Sequence, residues 1–394
     1  MLYDFDKHIE RRGTDCLKYD GLYQMLGRSD VKPLWVADMD FETPPFVIRT
    51  IEKRLRQRVL GYTVPTDRFY QAIISWMKRR HSVSLEPQDI HFVAGIVPGI
   101  HHALNALTEK GDKVLIQPPV YHPFAHLIEV NERTRVDNPL HIVNGRYEMD
   151  FDDLEKKLPG CKMMILCNPH NPGGTVWTAD VLERVAKLCH RYGVTVLSDE
   201  IHSDMAHRGH TYTPFVNCCP EAREISLAMN APSKAFNMPG IVVSYCYSLS
   251  PSIRERYFTF LDRADVALGN IFAYDCLAAC YSEEGEEWLN QMLDYVTENC
   301  KIVIDFLRQQ CPRIRPMLPE NSFLLFLDNS DMPFTTTTEM HDFYLNKSGL
   351  YLNEGEMFGK EGEKFMRLNV ALPRAELDDV LHQLKQSYDE IVAS

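Results

Sequence analysis

The sequence predicts an α/β protein, with a large unit built on a mainly parallel sheet and a smaller α+β unit after it. Between about residues 46 and 285, short apolar runs alternate with helical stretches, the pattern of strands that cross over through helices. Beyond about residue 286 the texture changes: a long helical pattern leads to an apolar strand, a helix, a second strand and a terminal helix. The chain has 394 residues, which at roughly 150 per domain allows two or three domains. Apolar residues at 45% and charged residues at 25% are ordinary globular usage, which sets aside wholesale disorder and fibrous repeats.

Taken in order, the runs at 90–94, 113–117, 163–167, 194–198, 225–229 and 242–247 are each short and apolar enough for a buried strand. The stretch 179–192 places apolar residues at helical spacing and reads as an amphipathic helix between two of them. In the second unit the spacing predicts a helix over 287–310, a strand over 322–327, a helix over 338–348, a strand ending at Val370 and a helix over 373–392.

Lys and Arg number 42 against 55 Asp and Glu, a formal net charge of −13. Nucleic-acid binders carry a basic excess, so that class is disfavoured. Any anionic ligand must be held by local donors, because the global field repels it. Eleven cysteines, scattered from Cys16 to Cys311, make no disulfide framework in so long a chain. The residues up to Lys7 lack a signal-peptide core, and no apolar run approaches the ~18 residues of a membrane span. The expectation is a cytoplasmic protein with reduced thiols, no membrane segment and no metal. Cys276 and Cys280, spaced i and i+4 on a helical stretch, read as core packing.

In open α/β sheets, ligands collect beyond the carboxyl ends of the strands, so the loops after the runs are where chemistry is sought. After the first run, Gly95-Ile96-Val97-Pro98-Gly99 leads into a helical stretch and offers backbone N–H groups to a phosphate; alone, it is equally an ordinary strand-to-helix turn. It is not a dinucleotide fingerprint. Gly355-Glu356-Met357-Phe358-Gly359-Lys360 is not a P-loop either, since its spacing is short and Glu361 replaces the Ser/Thr. After the second run, Pro118 to Pro123 stiffen a loop in which Tyr121 can stack on a flat ring or simply pack; His122 beside it takes no role. After the third, Asn168-Pro169-His170-Asn171-Pro172-Gly173-Gly174 fixes a tight backbone able to aim an Asn side chain at the strand ends. After the fourth comes Asp199, a strand-end carboxylate that wants a cationic partner, whether a protonated ring nitrogen, a salt bridge or a helix cap. After the fifth, Ser233-Lys234 stands between a core strand and a Pro/Gly-marked loop, where burial leaves a neutral, nucleophilic amine.

The order Tyr121, Asn171, Asp199, Ser233-Lys234, each following a successive strand, closely resembles the fold-type I pyridoxal-phosphate enzymes, the aspartate-aminotransferase superfamily. With the stretches 35–41, 168–174, 198–204, 233–240 and 365–369, the chain resembles the MalY/PatB group of C–S β-lyases within it, the group of cystathionine β-lyase, cysteine desulfhydrase and cystalysin. The resemblance implies a large cofactor domain over 46–286 with a mainly parallel seven-stranded sheet. Residues 1–45 would form an arm and part of a small domain completed by 287–394. It implies pyridoxal 5'-phosphate as cofactor, carried by Lys234, with Asp199 at the pyridine nitrogen, Asn171 at the phenolic oxygen and Tyr121 stacked on the ring. Ser233 and the N–H groups of Ile96 and Val97 would hold the phosphate, joined by Tyr62 from the neighbouring subunit of a homodimer. Arg367 would grip the substrate α-carboxylate with Ala37 nearby, and Asn270 would sit where the dimer interface approaches the cofactor.

Two departures separate the chain from the aminotransferase pattern. Val242 stands eight residues after the lysine, where those enzymes typically carry an Arg; His202 stands three after the Asp, where Tyr is common. Both look like the lyase group, and His202 is a further candidate to touch the cofactor. The implied activity is β-elimination from L-cystathionine or related cysteine S-conjugates, giving a thiol, pyruvate and ammonia. Class I/II aminotransfer, or a lyase with an added regulatory binding role, is the alternative.

Overall fold

Seven strands form the larger sheet: β1 (Ile90–Val93), β2 (Lys113–Ile116), β3 (Thr134–Asp137), β4 (Cys161–Cys167), β5 (Thr195–Asp199), β6 (Ser226–Asn230) and β7 (Ser244–Tyr247). The computed structural model describes residues 2–393. The strand order is β1-β7-β6-β5-β4-β2-β3, and β7 alone runs against its neighbours. Residues 163–167 and 196–199 are buried without a break, which is what a sheet covered on both faces requires. Alternate residues divide between two cores. Met163, Ile165 and Cys167 pack with α3 (Ile96–Leu107) and α6 (Pro251–Arg263), while Met164 and Leu166 pack with α5 (Ala179–Arg191). Other helices beside this sheet include α1 (Pro45–Leu55), α2 (Asp67–His81), α4 (Pro123–Val130) and α7 (Ala273–Cys280). Cys276 and Cys280 of α7 are fully buried in the apolar core.

The six expected strands lie where the apolar runs place them. The seventh, β3, was not expected, because Thr134-Arg135-Val136-Asp137 holds one apolar residue and forms a partly exposed edge. A hairpin of Leu140–Val143 against Arg146–Met149 was also missed, although Asn144 and Gly145 both take positive φ at its turn, the strongest short hairpin signal.

The second sheet is antiparallel: β8 (Arg315–Pro316), β9 (Leu324–Asp328), β10 (Asn353–Glu354) and β11 (Phe365–Asn369), in the order β8-β9-β11-β10. Two long helices, α8 (Glu283–Gln310) and α9 (Arg374–Ala393), share its core. Helix α8 begins four residues before the expected start, because the Ser282 side chain accepts from Gly285 N–H at 3.1 Å and caps it. The helix expected over 338–348 is α-helical only at Thr337–Asp342 and continues as a wider turn at Phe343–Lys347. Lys32–Pro33 pairs with Leu350–Tyr351 in parallel, so the N-terminal segment joins the C-terminal one. Among the described residues no helix is long and apolar enough to cross a membrane, no cluster of three His, Cys, Asp or Glu could hold a metal ion, and the cysteines are free thiols.

Candidate active site

The loops after β1, β2, β4, β5 and β6 meet the arm 35–40 and strand β11 around one cavity of about 380 Å³. Ala37, Ile96, Val97, Tyr121, Asn171, Asp199, His202, Lys234 and Arg367 all line it. Ser233 is buried beside Lys234 but does not face the cavity, and Tyr62 lies outside it, fully exposed. Asn270 is exposed too, its amide donating to Ile241 O at 2.6 Å.

Each wall has a local cause. Gly95 holds φ +107, a conformation open to glycine, and turns the chain from β1 into α3. The first-turn amides of Ile96 and Val97 then have no intrahelical acceptor and sit at the positive end of the helix dipole. In the 168–174 loop, His170 donates from Nε2 to Pro119 O at 2.9 Å and accepts at Nδ1 from Gly173 N–H at 3.3 Å, tying the loops after β2 and β4 together. A Cβ at Gly173 would meet the Tyr147 ring at 2.3 Å, so only glycine fits there. The peptide bonds before Pro119, Pro169 and Pro172 are cis.

Strand β11 reads the arm through its backbone. Arg367 donates to Trp35 O at 3.0 Å, and Asn369, two residues on and on the same face, donates to Val36 O and Asp38 O at 2.7 and 2.6 Å. Arg367 also donates to Asn171 Oδ1 at 3.1 Å and Asn353 Oδ1 at 2.6 Å, and lies over the Phe358 ring at 4.9 Å. Across the cavity, Lys234 Nζ donates to Ala37 O at 2.8 Å.

The electrostatics are those of charged groups held apart. Among the described residues the Asp199 carboxylate accepts one hydrogen bond, from Ile201 N–H at 3.2 Å; burial pushes its carboxyl up to about 7, helped by Glu200 and opposed by that bond and by Lys234. Burial draws the Lys234 amine down to about 8, and Arg367 adds to it against the pull of Asp38 and Asp199. Burial likewise lowers Arg367 to about 10 and, with Lys234 and Arg367 beside it, His202 to about 3. Arg367 Nε and His202 Nδ1 are buried with no hydrogen-bond partner among the described residues. Such orphaned donors are costly unless a ligand meets them.

Sequence reasoning missed Asn353, which holds Arg367, and Leu17, Met357 and Cys167, which also line the cavity. A lone Asn in a two-residue strand carries no signal of its own.

A lysine and a carboxylate at the strand ends of a mostly parallel sheet, facing a guanidinium from the antiparallel one, mark the aspartate-aminotransferase-like fold type I. The chain belongs to the aminotransferase class I and II family, matched over residues 29–384. It is 38% identical over 384 residues to cystathionine beta-lyase PatB of Bacillus subtilis, 97% of this chain and 99% of that protein. It is 31% identical over 381 residues to protein MalY of Escherichia coli, 96% of each chain. The crystal structure of cystalysin from Treponema denticola, which contains a pyridoxal 5'-phosphate cofactor, matches with a TM-score of 0.95 and 33% identity, covering 99% of this chain and 100% of that one.

Proposed function

We propose that the protein is a pyridoxal 5'-phosphate-dependent C–S β-lyase that cleaves L-cystathionine or related cysteine S-conjugates to a thiol, pyruvate and ammonia. The observation that carries the reading is a single cavity lined by Lys234, Asp199 and Arg367, which do not pair with one another, in a chain similar over 97% of its length to a cystathionine beta-lyase.

The residues suit the cofactor. Lys234 is its carrier, Asp199 the partner of its ring nitrogen, and Tyr121 the ring beneath it. Asn171, its Oδ1 held by Arg367, has its amide left to donate to the phenolic oxygen, and the orphaned His202 Nδ1 is a second group for the same edge. The Ile96 and Val97 amides would hold the phosphate, joined by the Ser233 hydroxyl once its side chain turns toward the cavity. These local donors answer the −13 charge of the chain. Bound pyridoxal 5'-phosphate supplies an electron sink for the charge left at the substrate Cα.

The protein's own work is orientation and proton movement. Arg367 holds the α-carboxylate, using the Nε donor that has no partner among the described residues, while Ala37 bounds the same side. With its pKa drawn down to about 8, Lys234 Nζ is a base able to take the Cα proton near neutral pH. The pair left at Cα then forms the Cα–Cβ double bond as the Cβ–S bond breaks and the thiolate leaves with the bonding pair, and water hydrolyses the released enamine to pyruvate and ammonia.

The same reading includes a homodimer, with Tyr62 of each copy serving the other's phosphate. It is supported by the solvent-facing run of Val59, Leu60, Tyr62 and Val64, a patch that a second copy would cover. It also includes the division into 1–45, 46–286 and 287–394, a cytoplasmic location suited to free thiols, and a place in sulfur amino acid metabolism. The test is incubation of the holoenzyme with L-cystathionine and no added keto acid. Pyruvate and ammonia are expected; turnover that requires a keto-acid acceptor overturns the lyase in favour of aminotransfer.

A further inference from the structure

We infer that Glu200, which does not line the cavity, is a positioning residue that acts through Asp199. The two carboxylates stand in series behind the cofactor's ring nitrogen, and Glu200 makes the site select a ring that carries a proton there. The inference rests on the proposed function for the cofactor and for Asp199 at its nitrogen. It goes beyond that reading in giving a part to a residue that touches neither cofactor nor substrate.

Asp199 is the last residue of β5 and Glu200 the next, so their side chains leave opposite faces of the sheet. The Glu200 N–H donates to Met229 O at 2.8 Å, which holds it to β6 and carries the alternation past the strand's end. Asp199 faces the cavity; Glu200 is fully buried and does not. Three donors enclose its carboxyl group. Ser198 Oγ and the Phe215 N–H meet Oε1 at 3.0 Å each, and the Tyr247 hydroxyl meets Oε2. Burial raises the Tyr247 phenol well above its ordinary value and the Glu200 charge adds to it, so Tyr247 keeps its proton and donates. Burial raises the Glu200 carboxyl as well, and the donors around it oppose that. None of these partners is a carbonyl or a carboxylate, the groups that would take a proton from a neutral acid; the arrangement suits the charged form.

Neither acid has a cation to itself. Among the described residues no Lys, Arg or His pairs with Asp199 or Glu200, and Lys234, whose charge reaches Asp199, donates to Ala37 O at 2.8 Å instead. Two adjacent buried carboxylates without a cation are costly to keep charged. A protonated ring nitrogen against Asp199 is a counter-ion to both, and a neutral ring is a counter-ion to neither. The placement also protects the substrate. A second carboxylate lining the cavity would pair with Arg367 and repel an α-carboxylate. Set behind the strand, Glu200 lends its field and faces neither group.

The test compares the affinity of the full chain, stripped of cofactor, for pyridoxal 5'-phosphate and for its 1-deaza analogue, which has C–H in place of the ring nitrogen. Wild type should prefer the nitrogen-bearing ring. Glu200→Gln keeps an acceptor for the Phe215 N–H and should cut that preference about tenfold, the order of effect of one unit charge on a neighbour inside a protein. The loss should fall on pyridoxal 5'-phosphate alone. Tyr247→Phe, which removes one donor from Glu200, should shift the preference the same way by about threefold. With 15N-labelled cofactor in the holoenzyme, the ring nitrogen resonance should move toward its unprotonated position in Glu200→Gln. A preference that neither variant changes, or a loss shared equally by both ligands, overturns the role of Glu200 and leaves Asp199 in place. Equal affinity of wild type for the two rings overturns the assignment of Asp199 to the nitrogen, and the inference with it.

Discussion

Two clusters of buried charge lie close together in this protein and are treated in opposite ways. In the arm, Lys18, only 1% exposed, pairs with Asp40 at 2.7 Å, and Arg11 bridges Asp38 and Asp40 at 2.7 Å each. Burial pushes the Asp40 carboxyl up, but Lys18 and Arg11 outweigh it and hold it below the usual carboxylate range. In the cavity, Asp199 and Lys234 form no such pair, and burial shifts each toward its neutral form. The arm spends its charges on internal attraction and gains a fixed position; the cavity keeps its charges unspent for a ligand. Of the two, the unpaired cluster is the one on which the proposed function rests.

Removing one member from each cluster should therefore have different consequences. The largest effect is expected from Lys234→Ala: about a 10,000-fold loss of kcat/KM, with loss of the visible absorbance band, at little cost to the unfolding midpoint. A variant that keeps the band assigns cofactor binding to another lysine. Lys18→Met should do the reverse, costing about 3–5 kcal/mol in denaturant unfolding because it leaves buried Asp40 and half-buried Asp38 with Arg11 alone. Arg367→Lys keeps the charge but loses the planar fork, and about a 100-fold loss of kcat/KM carried mainly by KM is expected. An unchanged KM would mean that the carboxylate is held elsewhere.

The smallest effect is one of pH on the cofactor-free protein. Asp199 has a folded pKa of about 7, above its ordinary 3.8, so the folded state binds a proton more tightly than the unfolded one. Its contribution to stability is complete below about 4 and is lost as pH rises through about 7. Thermal melts of stripped protein should show that decline, and Asp199→Asn should flatten it. A slope unchanged by the substitution assigns the effect to another group.

The sequence is most legible where one residue type meets one local pattern. The uninterrupted apolar runs announce the central strands because both faces of those strands are covered, and Lys234, Asp199 and Asn171 each stand just beyond such a run. The edge strand β3 has no inner face on both sides and so no run to show. Asn353 and Met357 enter the site by way of antiparallel pairing between β10 and β11 and a short turn, a long-range placement that no nearby residue encodes. The expectation for Tyr62 rests on resemblance alone, since in the single chain it touches no part of the cavity.

The bracket that Arg367 and Asn369 place on the arm has an evolutionary side. Those two residues grasp the carbonyls of Trp35, Val36 and Asp38, and Lys234 takes that of Ala37; every residue type supplies a carbonyl. The course of residues 35–38 is thus insulated from the identity of the side chains at 36 and 37, both of which face the cavity. Val36 and Ala37 are positions where one scaffold can drift from one thioether to another, reshaping the room for substrate while the groups that act on it stay where they are.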